Sequence, residues 1–141
     1  MSYLNLDVQI CHSLYSATNA LIRAYRPLLE PLGLTYPQYI VMLSLWEKDG
    51  VSVKTLSEHT RLDAGTLTPI LKRLEDKGLL RRTVFAGDER QKRLEVTEAG
   101  QQLKTRAEKI PEAMACMAMT DREQAAQLKQ LCEQLYQTLS G

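Results

Sequence analysis

The sequence has no long uninterrupted run of apolar residues. None of its apolar stretches approaches the ~18 residues that a transmembrane helix needs. The first ten residues, MSYLNLDVQI, also lack the basic region and long apolar run of a secretion signal. We therefore expect a cytoplasmic protein with no membrane partner. Because the 141 residues contain no repeat, linker or low-complexity tract, we expect one domain spanning residues 1–141.

Cysteine is scarce, and the three cysteines form no CxxC pair. Cys11, Cys116 and Cys132 lie far apart, and an odd number of distant cysteines in a cytoplasmic chain argues against a disulfide framework or a zinc site. His12 and His59 lack the spacing of metal ligands, so we interpret both as surface or partly buried residues, with proton transfer by His12 as an alternative. We expect no metal and no cofactor.

The chain has no large overall excess of positive charge, since its formal net charge is +1. The charge is nevertheless unevenly distributed. Between Lys72 and Arg93, eight lysines and arginines stand against four acidic residues, a local excess of four. Such a basic segment is typical of a surface that binds nucleic acid.

The first half of the chain predicts four helices. Apolar residues at helical spacing begin at Leu6, and the RPLLEPLGL segment should break this first helix. Thr35 with Gln38 predicts a capped second helix, and Ser52 a short third helix. The GTLTPILKRLEDKG segment predicts a fourth helix, which should start near residue 65 or 66 because Pro69 is tolerated only near a helix start, and should stop at Gly78.

The second half predicts a β-hairpin and two helices. LLRRTV and RLEV flank the polar loop FAGDERQK, Thr97 should cap a long helix reaching towards Met117, and Thr120 to Glu123 form a capping box for the last helix. The fold class is mainly α with a small β-hairpin wing: a winged helix-turn-helix at about 36–97, with dimerisation helices at about 5–30 and 98–140. The apolar stripes of these helices, with Met114, Met117 and Met119, exceed what one core requires, so we predict a homodimer.

The fourth helix has the composition of a helix that reads the major groove. Such a helix needs small or hydroxyl residues at its leading end and basic residues one turn later. The residues that fit are Gly65, Thr66, Thr68, Pro69, Lys72 and Arg73. The alternative is a solvated helix face with scattered charges, since helix-turn-helix patterns give frequent false positives.

The hairpin adds a second group of candidate DNA contacts. Asp88 precedes Arg90 by two residues and can hold its guanidinium for entry into a narrow minor groove. Arg82, in the first strand of the hairpin, is a further candidate. A charged hairpin tip that only improves solubility is the alternative.

The segments LDAGTLTPILKRLEDKGLL and DERQKRLEVTEAG resemble those of MarR-type winged helix regulators, with Asp88, Arg90, Thr97 and Gly100 at the expected places of the wing signature. The segment CHSLYSATNALIRAYRPLLEPLGLTYPQYIVMLSLWE is similar to the organic hydroperoxide resistance regulators, the OhrR group. The resemblance covers most of the chain. It implies a dimeric repressor that binds double-stranded operator DNA.

Cys11 lies near the start of the first helix, where unpaired backbone N–H groups favour a thiolate. A lone cysteine on an amphipathic helix usually packs as a small hydrophobe. Folding the N-terminal segment back would bring the phenols of Tyr25, after the first helix, and Tyr36, at the start of the second, towards this sulfur; two buried core tyrosines are the alternative. The resemblance implies that Cys11 is the peroxide sensor and that Tyr25 and Tyr36 hydrogen-bond to it.

The resemblance also implies a resolving cysteine, supplied by the other subunit at about the position of Cys116. Cys132 is the alternative. We therefore expect a repressor that an organic hydroperoxide oxidises at Cys11 and that then leaves its operator, with a small-molecule or protein thiol as the reductant. The rival hypotheses are a regulator released by a phenolic or drug-like ligand and, as an enzyme, a thiol peroxidase.

Overall fold

The computed structural model describes residues 2–85, 88–118 and 121–140; for residues 85 and 88–91 it describes the backbone alone. These residues contain seven α-helices, three strands and two short 3₁₀ helices at Leu6–Val8 and Glu30–Leu32. The helices are α1 (Ile10–Leu29), α2 (Tyr36–Glu47), α3 (Val53–Thr60), α4 (Ala64–Asp76), α5 (Glu98–Ala107), α6 (Ile110–Ala118) and α7 (Arg122–Ser140). The strands are β1 (Val51–Ser52), β2 (Leu80–Phe85) and β3 (Asp88–Val96). The predicted fold class is confirmed.

The three strands form one antiparallel sheet in the order β1-β3-β2. Leu80 pairs with Val96 at the base of the hairpin, and Val51 of β1 pairs with Leu94 on the other side of β3. The predicted hairpin is therefore present, with a third short strand that the sequence analysis did not anticipate. Residues 86 and 87, at its turn, lie outside the described residues.

The core of the first unit lies between α2, α3, α4 and the sheet. The chain divides into two compact units, one through Glu108 and one from Lys109 onward. In the first unit the apolar faces of α2, α3 and α4 are almost completely removed from solvent, and the sheet adds Leu94. The residues with at most 1% exposure are Leu29, Val41, Met42, Leu45, Leu56, Leu67, Leu71, Leu74 and Leu94.

The predicted helix caps at Thr35, Ser52 and Thr97 are present. The hydroxyls of Thr35, Ser52 and Thr97 each accept a hydrogen bond from the amide three residues on, which fixes the starts of α2, α3 and α5. Thr120 lies outside the described residues. At the start of α7 the carboxylate of Asp121 accepts hydrogen bonds from the backbone amides of the second and third residues after it.

The first helix ends at Leu29, within the RPLLEPLGL segment that was expected to break it. It passes through Pro27, because a proline in the last turn removes one hydrogen bond while Leu29 is buried in the core. One predicted boundary is wrong. The single long helix after Thr97 is instead two helices. Pro111 has no backbone N–H and its ring would clash with the carbonyl of Ala107, so α5 ends there and α6 starts at Ile110.

Among the described residues, no helix combines the length and the apolar character that crossing a membrane would require.

Gly100 occupies a point where α5 meets the end of the sheet and α2. Its amide donates to Thr97 Oγ1 at 3.1 Å, and its carbonyl accepts a hydrogen bond from Trp46 Nε1 at 3.0 Å. A Cβ added here would lie 2.6 Å from Cγ1 of Val96 and would also overlap the backbone carbonyl of Leu79. Only glycine fits this approach without moving the backbone.

We expect Gly100→Ala to lower the free energy of unfolding by about 1–3 kcal/mol, because the added methyl group overpacks the junction. Gly65→Ala is the matched control: it adds the same methyl group inside a helix, where the nearest atom lies at 3.5 Å. Urea denaturation measures both. Equal stability of the two variants would contradict this account of Gly100.

Candidate DNA-binding and redox-sensing site

Helix α4 exposes the face that the sequence analysis assigned to DNA. It begins at Ala64, one residue before the predicted start, because the carboxylate of Asp63 accepts a hydrogen bond from the Thr66 amide at 2.7 Å. This hydrogen bond lowers the pKa of Asp63, which therefore stays ionised at the positive end of the helix. Leu67, Leu71 and Leu74 face the core. The six candidate DNA contacts are all exposed: Gly65, Thr66, Thr68, Pro69, Lys72 and Arg73.

The wing is tied to α4 by an ion pair. Nε of Arg82 on β2 lies 2.5 Å from Oε1 of Glu75 on α4, and both side chains are about one-third exposed. Arg82 thus has a structural partner in addition to its expected role at DNA. The side chains of Asp88 and Arg90 lie outside the described residues, although their backbone belongs to β3.

Tyr25 and Tyr36 lie against each other, as the sequence analysis expected of two phenols in one pocket. Their ring centroids are 4.9 Å apart with the planes tilted by 42°. Tyr25 lies within α1, not after it as predicted, and Tyr36 is the first residue of α2. Both are half-buried. Burial raises the pKa of both phenols above 10.0, and proximity to Tyr36 raises the pKa of Tyr25 further.

A third tyrosine, which the sequence analysis missed, joins the pair. The Tyr39 ring lies 5.8 Å from that of Tyr25 and is 3% exposed. Burial, with smaller contributions from Tyr25 and Tyr36, raises the pKa of Tyr39 to about 12. The YPQY spacing contained the signal, since residues three apart in a helix lie on the same face. All three phenols are neutral near pH 7 and can donate hydrogen bonds.

Cys11 is exposed in the first turn of α1. The helix starts with Gln9 as its N-cap, so Cys11 is its second residue and lies closer to the helix start than predicted. Backbone amides in this turn have no partner inside the helix, which favours an anion there. The next residue, His12, is also exposed, and its Nε2 lies 3.4 Å from the Ser16 hydroxyl.

The expected meeting of Cys11 with both tyrosines inside one chain is wrong. Cys11 and Tyr25 belong to the same unbroken helix, 14 residues apart, which separates them by about 20 Å along the axis at a rise of 1.5 Å per residue. No folding back of the N-terminal segment is possible while α1 is intact. One chain therefore contains the two halves of the expected sensor at opposite ends of α1.

The other two cysteines are exposed as well. Cys116 lies on α6 beside Met117, which is also exposed. Cys132 lies on α7, where it shares a helical face with Leu128, Leu131 and Leu135. Leu131 on this stripe is 62% exposed.

Most exposed apolar side chains lie on the helices that were expected to dimerise. Among the described residues, the large apolar side chains on α1 and α7 that remain exposed are Ile10, Tyr15, Leu21, Leu128, Leu131, Leu135, Tyr136 and Leu139. Ile10 alone is 70% exposed. Exposed apolar side chains along a helix are typical of a protein–protein interface.

His59 contacts two residues of α2. Its Nδ1 lies 2.5 Å from the hydroxyl of Ser44, which is buried, and its Nε2 lies 3.5 Å from Glu47. Its side chain is 47% exposed, which agrees with the expected interpretation of His59 as a surface or partly buried residue.

Comparison with known proteins places these features in a family. The MarR family profile matches residues 34–92, which span α2 to β3. The chain is 39% identical to the organic hydroperoxide resistance transcriptional regulator of Bacillus subtilis over 97% of its own length and 93% of that protein. The chain belongs to the MarR family. This MarR protein is also 46% identical to the HTH-type transcriptional regulator TtmR of Methylorubrum extorquens, over 90% of its own length and 66% of TtmR.

Solved structures of AbfR from Staphylococcus epidermidis resemble this MarR protein over 96% of its length. Reduced AbfR bound to DNA is 34% identical, with a TM-score of 0.81 and 92% of that chain covered. The TM-score is 0.78 for overoxidised AbfR bound to DNA and 0.65 for AbfR with a disulfide formed. The conformation described for this MarR protein is thus more similar to that of reduced AbfR than to the disulfide form.

We expect the tyrosine cluster to destabilise the fold at alkaline pH. A phenol whose pKa is raised in the folded state stabilises that state below the unfolded value of 10.0, and this stability is lost as the pH rises from 10.0 towards about 12. Between pH 9 and pH 11, the free energy of unfolding should fall more in the wild type than in Tyr39→Phe, by on the order of 1 kcal/mol. Urea titrations at both pH values measure this, and an equal fall in both proteins would contradict it.

Proposed function

We propose that this MarR protein is a homodimeric, cytoplasmic repressor that senses organic hydroperoxides by oxidation of Cys11 and then releases operator DNA. The observation that carries the proposal is that α1 has an exposed sulfur in its first turn and two neutral phenols in contact with each other near its other end. The identity to the Bacillus subtilis regulator over nearly the whole chain supports the same assignment.

We propose that the sensor is assembled between two subunits. The continuous α1 prevents Cys11 from reaching its own Tyr25, whereas two α1 helices packed antiparallel about a two-fold axis place the start of each beside the end of the other. The exposed apolar residues Ile10 and Leu21 on α1 support such packing. Cys11 of each subunit would then meet the phenols of its partner.

The chemistry at this sulfur is a two-electron oxidation. The thiolate attacks the terminal oxygen of the hydroperoxide, and the S–O bond forms as the O–O bond breaks. The alkoxide that leaves takes up a proton from solvent, which balances the proton that the thiol lost on ionising, and departs as the alcohol. Tyr25 and Tyr36 donate hydrogen bonds to the thiolate and to the departing oxygen, which stabilises the charge that develops there. The product is Cys11 sulfenic acid. A second thiol then attacks it, a disulfide forms, and water leaves.

An apolar cavity beside Tyr36 supports an organic hydroperoxide as the oxidant. It has a volume of about 380 Å³ and includes Ile22, Leu29, Leu34 and Pro37 in its lining, with Arg26 among the few charged residues. A cavity of this kind accommodates a hydrocarbon group, which hydrogen peroxide lacks. The same cavity would suit a phenolic ligand, so a ligand-released MarR regulator is the competing proposal.

Disulfide formation is the step that we propose to alter DNA binding. AbfR bound to DNA in the overoxidised state remains nearly as similar to this MarR protein as reduced AbfR, whereas the disulfide form is less similar. We propose Cys116 of the other subunit as the resolving cysteine and keep Cys132 as the alternative. A small-molecule or protein thiol would reduce the disulfide and restore binding.

Two hydrogen bonds connect residues 31–33, the segment before α2, to α5 and to the end of α4. The carbonyl of Gly33 accepts a hydrogen bond from Nζ of Lys77 at the end of α4, and the carbonyl of Pro31 accepts one from Arg106 on α5 at 2.8 Å. With ten residues, α5 is about 15 Å long rather than the ~30 Å expected for one long helix. We propose that a shift of this segment moves α4 and the wing together. The paired α4 helices would then lose the ~34 Å spacing that operator DNA requires.

We expect hydroperoxide-induced DNA release to require the Cys11 sulfur. In a gel shift with the upstream intergenic region, cumene hydroperoxide should release the wild type, while Cys11→Ser should bind with unchanged affinity and remain bound. Cys132→Ser is the matched control and should respond as the wild type does. Release of Cys11→Ser by the hydroperoxide would remove the sensor assignment, and steady turnover of hydroperoxide by catalytic protein would favour a thiol peroxidase.

The choice between the two resolving cysteines has its own test. After hydroperoxide treatment, the wild type and Cys132→Ser should migrate as covalent dimers on non-reducing gels, and Cys116→Ser should migrate as a monomer, because a disulfide across the interface needs both partner sulfurs. The reverse pattern would assign the role to Cys132. Monomers in all three would show that the sulfenic acid is capped by a small thiol instead.

A further inference from the structure

Tyr39 differs from the other two tyrosines in its burial. Tyr25 and Tyr36 are half-buried, as expected of phenols that must reach a sulfur, whereas Tyr39 is 3% exposed. A ring so completely enclosed by its own chain cannot also contact a sulfur contributed by a second subunit. Any contribution of Tyr39 to the sensor must therefore act through its neighbours.

The geometry identifies Tyr25 as that neighbour. The Tyr25 ring contacts two rings of α2: Tyr36 at 4.9 Å and Tyr39 at 5.8 Å, with interplanar tilts of 42° and 46°. Tilted contacts at these distances are favourable for aromatic pairs and restrict the rotation of each ring. Because Tyr36 and Tyr39 are three residues apart on α2, they lie on the same face of the helix. Together they form one aromatic surface that the Tyr25 ring contacts.

Several hydrogen bonds fix the first turn of α2, which carries Tyr36 and Tyr39. This turn is closed by the Thr35 and Gln38 capping box, the Tyr39 amide donates to the Thr35 carbonyl at 2.9 Å, and Gln38 also accepts a hydrogen bond from Lys77 at 2.8 Å. The helix backbone fixes where the Tyr25 side chain starts, but the rotation of that side chain is restricted by the two rings that it contacts.

We propose that Tyr39 is a positioning residue of the peroxide sensor: its buried ring fixes the direction of the Tyr25 phenol, so that the oxidation rate of Cys11 depends on the Tyr39 ring. The inference rests on the proposed function, because it assumes that Tyr25 donates a hydrogen bond at the reacting sulfur. It assigns the effect to the aromatic ring and not to the hydroxyl, since the observed contact of Tyr39 with Tyr25 is between the two rings.

The experiment compares four variants of the full-length protein. Reduced dimer is mixed with cumene hydroperoxide, quenched by alkylation, and the unreacted Cys11 is quantified by mass spectrometry to give a second-order rate constant. Tyr39→Leu removes the ring and Tyr39→Phe restores it without the hydroxyl. Leu45→Ala removes a side chain of the same helix that is 0% exposed, almost two turns away, and controls for general loosening. Tyr25→Phe tests the proposed function itself.

We expect Tyr39→Leu to slow the oxidation of Cys11 at least tenfold, because a small displacement of a positioned donor weakens its transition-state contact. Tyr39→Phe and Leu45→Ala should stay within twofold of the wild type. If Tyr39→Leu does not fold, Tyr39→Met replaces it in the same comparison. The affinity of each reduced variant for operator DNA should remain unchanged.

Every different outcome would reject a specific claim about Tyr39 or Tyr25. An unchanged rate in Tyr39→Leu, with Tyr25→Phe slowed, would reject the role of Tyr39 and leave the proposed function intact. If Cys11 oxidation were slowed equally in Tyr39→Leu and Leu45→Ala, the loss of rate would reflect lower stability of the fold and not the Tyr39 ring. If it were slowed in Tyr39→Phe, the loss of rate would be assigned to the Tyr39 hydroxyl. An unchanged rate in Tyr25→Phe would contradict the proposed function itself.

Discussion

Helix α1 runs without a break from Ile10 to Leu29 and fixes where the sulfur and the phenols can meet. It carries Cys11 in its first turn and Tyr25 near its end, so these two groups of the proposed sensor are held about 20 Å apart. A rigid helix of this length cannot bring its own ends together. We therefore propose that a sensor built from these residues forms only where two chains meet, so that sensing would depend on dimerisation.

The same architecture supports the proposal that a chemical change at Cys11 alters DNA binding. Tyr36 follows a short turn whose carbonyls are bonded to Lys77 at the end of α4 and to Arg106 on α5. Two further contacts extend this connection: Trp46 of α2 with Gly100 of α5, and Arg82 of the wing with Glu75 of α4. Each of these contacts joins two elements of the first unit. The joined elements would have to move together if the spacing of two recognition helices changed, as in a switch between two discrete arrangements.

Local signals in the sequence were sufficient for most of the fold. Capping residues such as Thr35, Ser52 and Thr97 identified helix starts correctly because a hydroxyl that accepts an amide hydrogen bond acts over only three residues. The hairpin was likewise defined by its own alternating pattern. The exposed face of α4 followed from the buried spacing of Leu67, Leu71 and Leu74.

The errors arose where a local signal was overlooked or where distance mattered. The overlooked Pro111 ended α5, because its ring would clash with the carbonyl of Ala107. The sequence identified Cys11, Tyr25 and Tyr36 as candidates but not their separation, because Tyr25 was placed after the first helix and lies within it. Tyr39 was missed since its burial depends on tertiary contacts.

The most direct test of the central claim is the rate of Cys11 oxidation in mixed dimers. One chain carries Cys11→Ser with intact tyrosines, and the other carries Tyr25→Phe and Tyr36→Phe with an intact Cys11. Assembly of the sensor across subunits predicts that mixing the two restores wild-type oxidation of the Cys11 thiols in the mixed dimers, because each then faces the intact phenols of its partner. Oxidation in the mixture that is as slow as in the separate tyrosine variant would contradict it.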